Sequence, residues 1–149
     1  MGDCADISER VEELLERPYW VVDLLPRQVP ADTPGQFFAV ERWLLSGSRG
    51  TSVRQRFADV LLGLNCYHDL LFIRDDETEG RLNPSPKKLT KWILRDRGMI
   101  NVLVEREGAL VSVPAMSTCM TVYNPSPGLL DELRLLASAA GLFVWQPPQ

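Results

Sequence analysis

The chain contains one histidine, His68, so any catalytic dyad or metal site that needs an imidazole must use this residue. Cys66 lies two residues before it, and Cys119 lies much further along the chain. If the segment around His68 is extended, the side chains of Cys66 and His68 share a face, because side chains alternate along a strand. With Cys119 they form a candidate ligand set for zinc, which prefers thiolate and imidazole donors.

The spacing of these three residues argues against a metal centre. Zinc sites usually take a pair of ligands from each end of the site, and Cys119 has no neighbouring ligand in the sequence. Cysteine is also common as a small buried residue. We therefore predict no metal and no other cofactor, and keep Cys66, His68 and Cys119 only as candidates. No serine lies in the Gly-x-Ser-x-Gly pattern of a nucleophile elbow, so no catalytic residue is assigned.

A glycine-rich segment suggests a different chemistry. Gly50, Thr51 and Ser52 precede an apolar pattern typical of a helix, and Ser52 is a suitable cap residue. The first N–H groups of a helix, together with its dipole, attract anions. With Arg49 and Arg54 alongside, these residues form a candidate anion or phosphate site. The alternative interpretation is an ordinary capped helix after a loop.

Aromatic residues beside a proline-rich segment indicate a surface for a protein partner. Pro30 and Pro34 stiffen a long segment, 26–36, for which the sequence predicts no helix or strand. Phe37 and Trp43 follow this segment, and aromatic side chains are frequent anchors of protein interfaces. We predict that Pro30, Pro34, Phe37 and Trp43 contribute to such a surface.

A row of basic residues lies on the helix predicted over 86–97. Lys88, Lys91 and Arg95 share one face of it. Such a row is usually solvated, and it could also meet an acidic partner. No aromatic platform or glycine loop accompanies it, so we expect no nucleic-acid partner.

The composition is that of a globular protein. The chain has 149 residues, of which 45% are hydrophobic and 24% charged, with a net charge of −4. The acidic excess disfavours general binding to nucleic acid or to anionic membranes. Three widely spaced cysteines are typical of reduced thiols, and no apolar run reaches membrane-spanning length. We expect a cytoplasmic protein, not bound to membranes, with one domain over 1–149, frayed at 1–5 and with a flexible tail at 146–149.

Helices and strands must position these residues. Apolar periodicity predicts helices over 6–17, 52–64, 86–97 and 127–140. Runs of β-branched and aromatic residues predict strands over 19–25, 69–75, 100–105, 109–113, 118–123 and 142–145. The run 37–45 fits both structures, and we favour a strand. The order predicts an α+β fold with one mixed β-sheet and helices packed mainly on one face. The C-terminal half is compatible with a split βαβ, ferredoxin-like arrangement.

One motif occurs twice in the chain. Asn-Pro-Ser-Pro at 83–86 recurs at 124–127, each time between a predicted strand and a predicted helix. In each case a glycine, Gly98 or Gly141, follows the helix. One interpretation is an internal duplication with a pseudo-symmetric groove. The other is that strand-to-helix turns converge on the same few residue types.

No motif assigns an activity to the chain. The leading hypothesis is a small, non-enzymatic interaction module that binds a protein partner or itself. The alternative is a small-molecule binding protein or enzyme whose anionic ligand lies at the glycine-rich start of the second helix. An exposed apolar patch would favour the first hypothesis, and a concave pocket at that helix start would favour the second.

Overall fold

The computed structural model describes residues 4–32, 34–75, 79–95 and 97–148. Within these ranges, helices and strands alternate along the chain. In order they are α1 (Cys4–Leu14), β1 (Tyr19–Asp23), α2 (Phe37–Leu44), α3 (Gly47–Tyr67), β2 (Leu70–Arg74), β3 (Arg81–Leu82), α4 (Pro86–Arg95), β4 (Ile100–Val104), β5 (Ala109–Val113), β6 (Cys119–Tyr123), α5 (Pro127–Ala139) and β7 (Phe143–Trp145).

A single sheet contains these strands in the order β3-β2-β4-β5-β6-β1-β7. The predicted α+β class and the single sheet are confirmed. Every ladder between described strands is antiparallel, so the prediction of a mixed sheet is wrong for this part of the chain. The physical reason is that β2 and β3, β4 and β5, and β5 and β6 are neighbours both in sequence and in the sheet, which favours antiparallel pairing. None of the helical connections between described strands joins two adjacent strands: those through α4 and α5 each skip one strand, and the one through α2 and α3 skips three.

Helices α3, α4 and α5 cover one face of the sheet, as predicted for most of the helices. Their core includes Phe57 of α3, Phe72 of β2, Leu89 of α4 and Leu129 of α5. Helix α1 contacts β5. All residues of β5 are buried, although alternate side chains of a strand point to opposite faces. Helix α1 therefore covers the middle of the second face.

The repeated motif introduces two units of the same topology. Helix α4 connects β3 to β4, and β2 lies between these strands; helix α5 connects β6 to β7, and β1 lies between them. The two outer strands of each unit are antiparallel to the middle strand and therefore parallel to each other. Each unit has the form of a split βαβ. The larger ferredoxin-like arrangement stays a prediction.

The two motifs also share their backbone geometry. Asn83 and Asn124 have φ values of 46° and 59°, in the left-handed region that asparagine tolerates better than most residues. The N–H of Asn83 donates to the Leu70 carbonyl at 2.8 Å, and that of Asn124 donates to the Pro18 carbonyl at 2.9 Å. The serine of each motif accepts a hydrogen bond from the first turn of the helix that follows.

Two elements near the predicted sites differ from expectation. The strand predicted over 37–45 is wrong, because Phe37–Leu44 forms helix α2. A short apolar run fits both structures by its pattern, and here the short link to α3 continues the chain from helix to helix. The helix predicted to start at Ser52 is α3, and it begins at Gly47 with Ser46 at its N-cap position. Its first turn contains two glycines, which weaken a helix and made the segment resemble a loop.

The two ends of the chain lie outside the predicted sites. Helix α1 begins at Cys4, within the segment predicted to fray, while residues 1–3 and 149 lie outside the described residues. The single domain over 1–149 stays a prediction. None of the described helices combines the length and the apolar character that crossing a bilayer requires.

Candidate functional site

Helix α2 buries none of its eight residues, although six of them are apolar. Phe38 is 77% exposed, Trp43 59% and Val40 50%. Single exposed apolar residues are normal on protein surfaces. A helix that is apolar on most sides, however, is usually a buried one. We use the term α2 surface for four residues of this helix, Phe37, Phe38, Val40 and Trp43, together with Arg49 of α3 and with Pro30 and Pro34 of the preceding connection.

Arg49, at the start of α3, fixes the position of Trp43. Its guanidinium carbon lies 3.8 Å from the centroid of the Trp43 ring. Its Nε donates to the Trp43 carbonyl at 3.0 Å, and its Nη2 donates to the Ser46 hydroxyl at 2.9 Å. The Ser46 hydroxyl also donates to the Trp43 carbonyl. The indole is therefore exposed and already oriented, which lowers the entropy lost when a partner covers it.

The other residues of the predicted partner surface are accessible to different degrees. Phe37 is half-buried, and its ring meets the Phe38 ring edge-on with 5.4 Å between centroids. Pro30 and Pro34 are exposed on the connection between β1 and α2. Sequence reasoning did not assign Phe38 and Val40 to the surface. The available signal was that Glu41 and Arg42 are the only polar residues in the run 37–44, so that a helix there would be apolar over most of its circumference.

The connection that leads to α2 is held at its start by Asp23, the last residue of β1. The Asp23 carboxylate accepts a hydrogen bond from the N–H of Leu25 at 3.2 Å, and the Trp145 side chain lies close enough to lower the pKa of Asp23. Burial raises the pKa of Asp23, the hydrogen bonds oppose this, and the negative charge of Glu41 adds to the increase. Glu41 of α2 therefore lies near the end of β1.

Cys119 pairs with Asp23 across the β1–β6 ladder. Burial raises the pKa of the Cys119 thiol, and the charges of Asp23 and Glu41 raise it further. The Ser117 hydroxyl, 3.4 Å from the sulfur, acts in the opposite direction. Because the thiolate is the reactive form of cysteine, this environment makes Cys119 a poor nucleophile.

The candidate zinc ligands have separate surroundings. Cys66 lies in the last turn of α3 rather than in an extended segment, and its thiol donates to the Leu62 carbonyl. The His68 Nε2 lies 2.6 Å from the Glu132 carboxylate of α5. Cys119 belongs to β6. Among the described residues, no group of three or more His, Cys, Asp or Glu side chains is arranged to hold a metal ion.

The glycine-rich segment lies within helix α3, not at its start. The first N–H groups of α3 belong to Gly47 and the residues that follow it directly, whereas Gly50, Thr51 and Ser52 come later. Gly50 is needed for packing: a Cβ atom there would lie 2.3 Å from the Leu45 carbonyl oxygen. The geometric reason for predicting an anion site at these residues is therefore wrong.

The two arginines of that prediction are also engaged in other contacts. Arg54 is buried, and its guanidinium donates to the carbonyls of Ile93, at 2.9 Å, and Pro114, at 2.7 Å. These bonds tie α3 to the end of α4 and to the segment after β5. Arg49 is stacked on Trp43. An anion site at residues 49–54 stays a prediction, now without the helix terminus that motivated it.

Comparisons with protein-family models, with curated proteins and with solved structures found no match to this chain.

Proposed function

We propose that the chain is a non-enzymatic, cytoplasmic interaction module that binds a protein partner, or a second copy of itself, through the α2 surface. The observation that carries this proposal is that α2 has six apolar residues among eight and buries none of them. Removing apolar surface from water is favourable by roughly 25 cal/mol per Å². A partner that covers Phe38, Val40 and Trp43 would therefore gain binding free energy.

The composition of the surface supports the same proposal. Tryptophan and arginine are enriched among the residues that contribute most to protein interfaces, and Trp43 and Arg49 are stacked on each other here. A stable interface buries roughly 800 Å² per partner. Helix α2 is only about 12 Å long at 1.5 Å per residue. We infer that the exposed prolines of the preceding connection, Pro30 and Pro34, extend the contact.

The surroundings of the reactive residues support a non-enzymatic role. Burial keeps the Cys119 thiol protonated by raising its pKa, and the thiolate is the nucleophilic form. Both Cys66 and Cys119 are free thiols, which fits a reducing compartment such as the cytoplasm.

Self-association provides the first test. The mass of the wild-type chain is measured by light scattering from micromolar to submillimolar concentration, beside Phe38→Ser/Trp43→Ser. Leu135→Ser is the control, because Leu135 is 74% exposed but lies on α5. We expect the wild type and Leu135→Ser to form dimers at high concentration and the double variant to stay monomeric. If all three chains stay monomeric, the second copy is excluded and the partner is a different protein.

A further inference from the structure

A shallow depression of about 350 Å³ lies where the end of β2 and the end of α4 meet the start of β4. Three arginines from different parts of the chain line it: Arg74 of β2, Arg95 of α4, and Arg97 just after α4. Among the residues that the structure describes, Asp75 is the one acidic residue in this lining. The volume falls within the range of small-ligand sites.

A second depression, of about 250 Å³, is lined by Arg81 of β3 and Lys88 of α4. Trp92 contributes to the lining of both depressions. Five cationic side chains thus line the two depressions that share Trp92, in a chain whose net charge is −4. The composition of the whole chain does not account for this local concentration of positive charge.

The position of Arg74 is fixed by packing. Its guanidinium carbon lies 4.6 Å from the centroid of the Trp92 ring, and Trp92 is itself almost completely buried. Gly98, which also lines the depression, approaches Asp75 closely, because a Cβ atom there would lie 3.1 Å from the Asp75 carboxylate. At least one of the three guanidinium groups is therefore oriented before any ligand binds.

The helix dipole accounts for only part of the cluster. Arg95 and Arg97 lie at the C-terminal end of α4, where cations are favourable in any protein. Arg74 and Arg81 come from strands, which have only small dipoles. Their convergence with the end of α4 around Trp92 needs a separate explanation.

We propose that the depression lined by Arg74, Arg95 and Arg97 binds the phosphate group of a small phosphorylated ligand. Guanidinium groups match phosphate oxygens in pairs of hydrogen bonds. A carboxylate has two oxygens, whereas a phosphate monoester has three terminal oxygens and a higher charge, so it can accept hydrogen bonds from more guanidinium groups at once. The depression beside Arg81 and Lys88 would receive a second anionic part of the ligand.

Titration calorimetry of the full chain with glycerol phosphate tests this proposal, with sodium chloride keeping the ionic strength constant. We expect saturable binding, which Arg95→Gln/Arg97→Gln weakens by roughly tenfold or more. The matched control is Lys87→Gln/Lys91→Gln, which removes the same charge from α4 at positions that line neither depression. The control should change the affinity by no more than about twofold, the size of a remote surface-charge effect.

Three results would overturn the proposal: no saturation at millimolar glycerol phosphate, an equal loss of affinity in both double variants, or equally tight binding of an acidic peptide such as tetraglutamate. The phosphate group could belong to a soluble ester or to a lipid head group. Cosedimentation with vesicles that contain a phosphoinositide separates these sources. Binding to the vesicles that glycerol phosphate displaces supports a phosphate site that accepts lipid, and binding of the soluble ester alone supports a metabolite site.

Discussion

Helices α2 and α4 are both short, and they place their apolar residues in opposite ways. Helix α4 buries Leu89, Trp92 and Ile93 and turns a basic side outwards. Helix α2 buries none of its residues and exposes Phe38 and Trp43. The core of the chain accounts for the apolar pattern of α4 but not for that of α2. This difference is the basis of the proposal that α2 contacts a partner.

The largest expected effect is on the free energy of unfolding, which a substitution in α4 should lower far more than a substitution in α2. Leu89→Ala should lower the free energy of unfolding by about 2–5 kcal/mol, because Leu89 is fully buried and its loss leaves a cavity. Phe38→Ala should change it by no more than about 0.5 kcal/mol in the monomer, because Phe38 is exposed. Urea denaturation measures both values at a concentration where the chain is monomeric. Similar losses for the two variants would mean that α2 packs on the core after all.

A second comparison concerns the two motif units. The Asn83 side chain accepts from the Leu70 N–H and the Asn65 amide and donates to Asp69. The Asn124 side chain makes one hydrogen bond, to the Gly108 carbonyl. Replacement by glycine keeps the left-handed backbone accessible and removes only these bonds.

We therefore expect Asn83→Gly to lower the free energy of unfolding by about 2 kcal/mol and Asn124→Gly by about 1 kcal/mol. Each hydrogen bond contributes roughly 0.5–1.5 kcal/mol. Two of the three bonds of Asn83 are exposed to water, which keeps its expected loss below three full contributions. Urea denaturation again provides the measurement. The reverse order would mean that the shared geometry of the units does not depend on these side chains.

The smallest expected effect concerns pH and the anchor of the connection to α2. Burial raises the pKa of Asp23 above 3.8, so the folded chain holds a proton there more tightly than the unfolded chain. This group therefore makes the protein less stable as pH rises from 3.8 through the folded pKa, and more stable as pH falls. Asp23→Asn removes this dependence.

The stability of the wild type relative to Asp23→Asn should increase as the pH is lowered towards 3.8. Thermal unfolding of both chains across acidic and neutral pH measures the difference. Because the two chains share all other carboxylates, the difference between their stabilities at each pH isolates the contribution of Asp23. A difference that stays constant, or that decreases on acidification, would contradict a raised pKa for Asp23.

Local turn chemistry made much of the fold predictable. The β4–β5 hairpin follows from Gly108, whose φ is 61°, and the starts of α4 and α5 follow from the Asn-Pro-Ser-Pro motifs. The strand order was not predictable, because β1 pairs with β6 and β7 at the far end of the sequence. Helix α2 was predicted as a strand because a short apolar run has no decisive period.

The candidate sites were predictable only where their residues are close in sequence. Phe37 and Trp43 share one helix, and the sequence grouped them with Pro30 and Pro34. The arginines around Trp92 come from β2, from β3 and from the end of α4, so only the folded chain brings them together. The sequence placed residues 50–52 at the start of a helix, whereas they lie within α3. A flexible loop and a helix with early glycines have the same local composition, so the sequence does not distinguish them.

The most direct test of the partner-binding proposal is site-specific photo-crosslinking in the cells that produce the protein. A photoreactive residue replaces Val40, which lies on α2 and is 50% exposed, or Leu135, which lies on α5 and is 74% exposed. We predict that position 40 gives a discrete adduct with another protein or a second copy, that Trp43→Ser abolishes this adduct, and that position 135 gives none. Equal adducts at both positions, or an adduct at position 40 that survives Trp43→Ser, would contradict a binding role for the α2 surface.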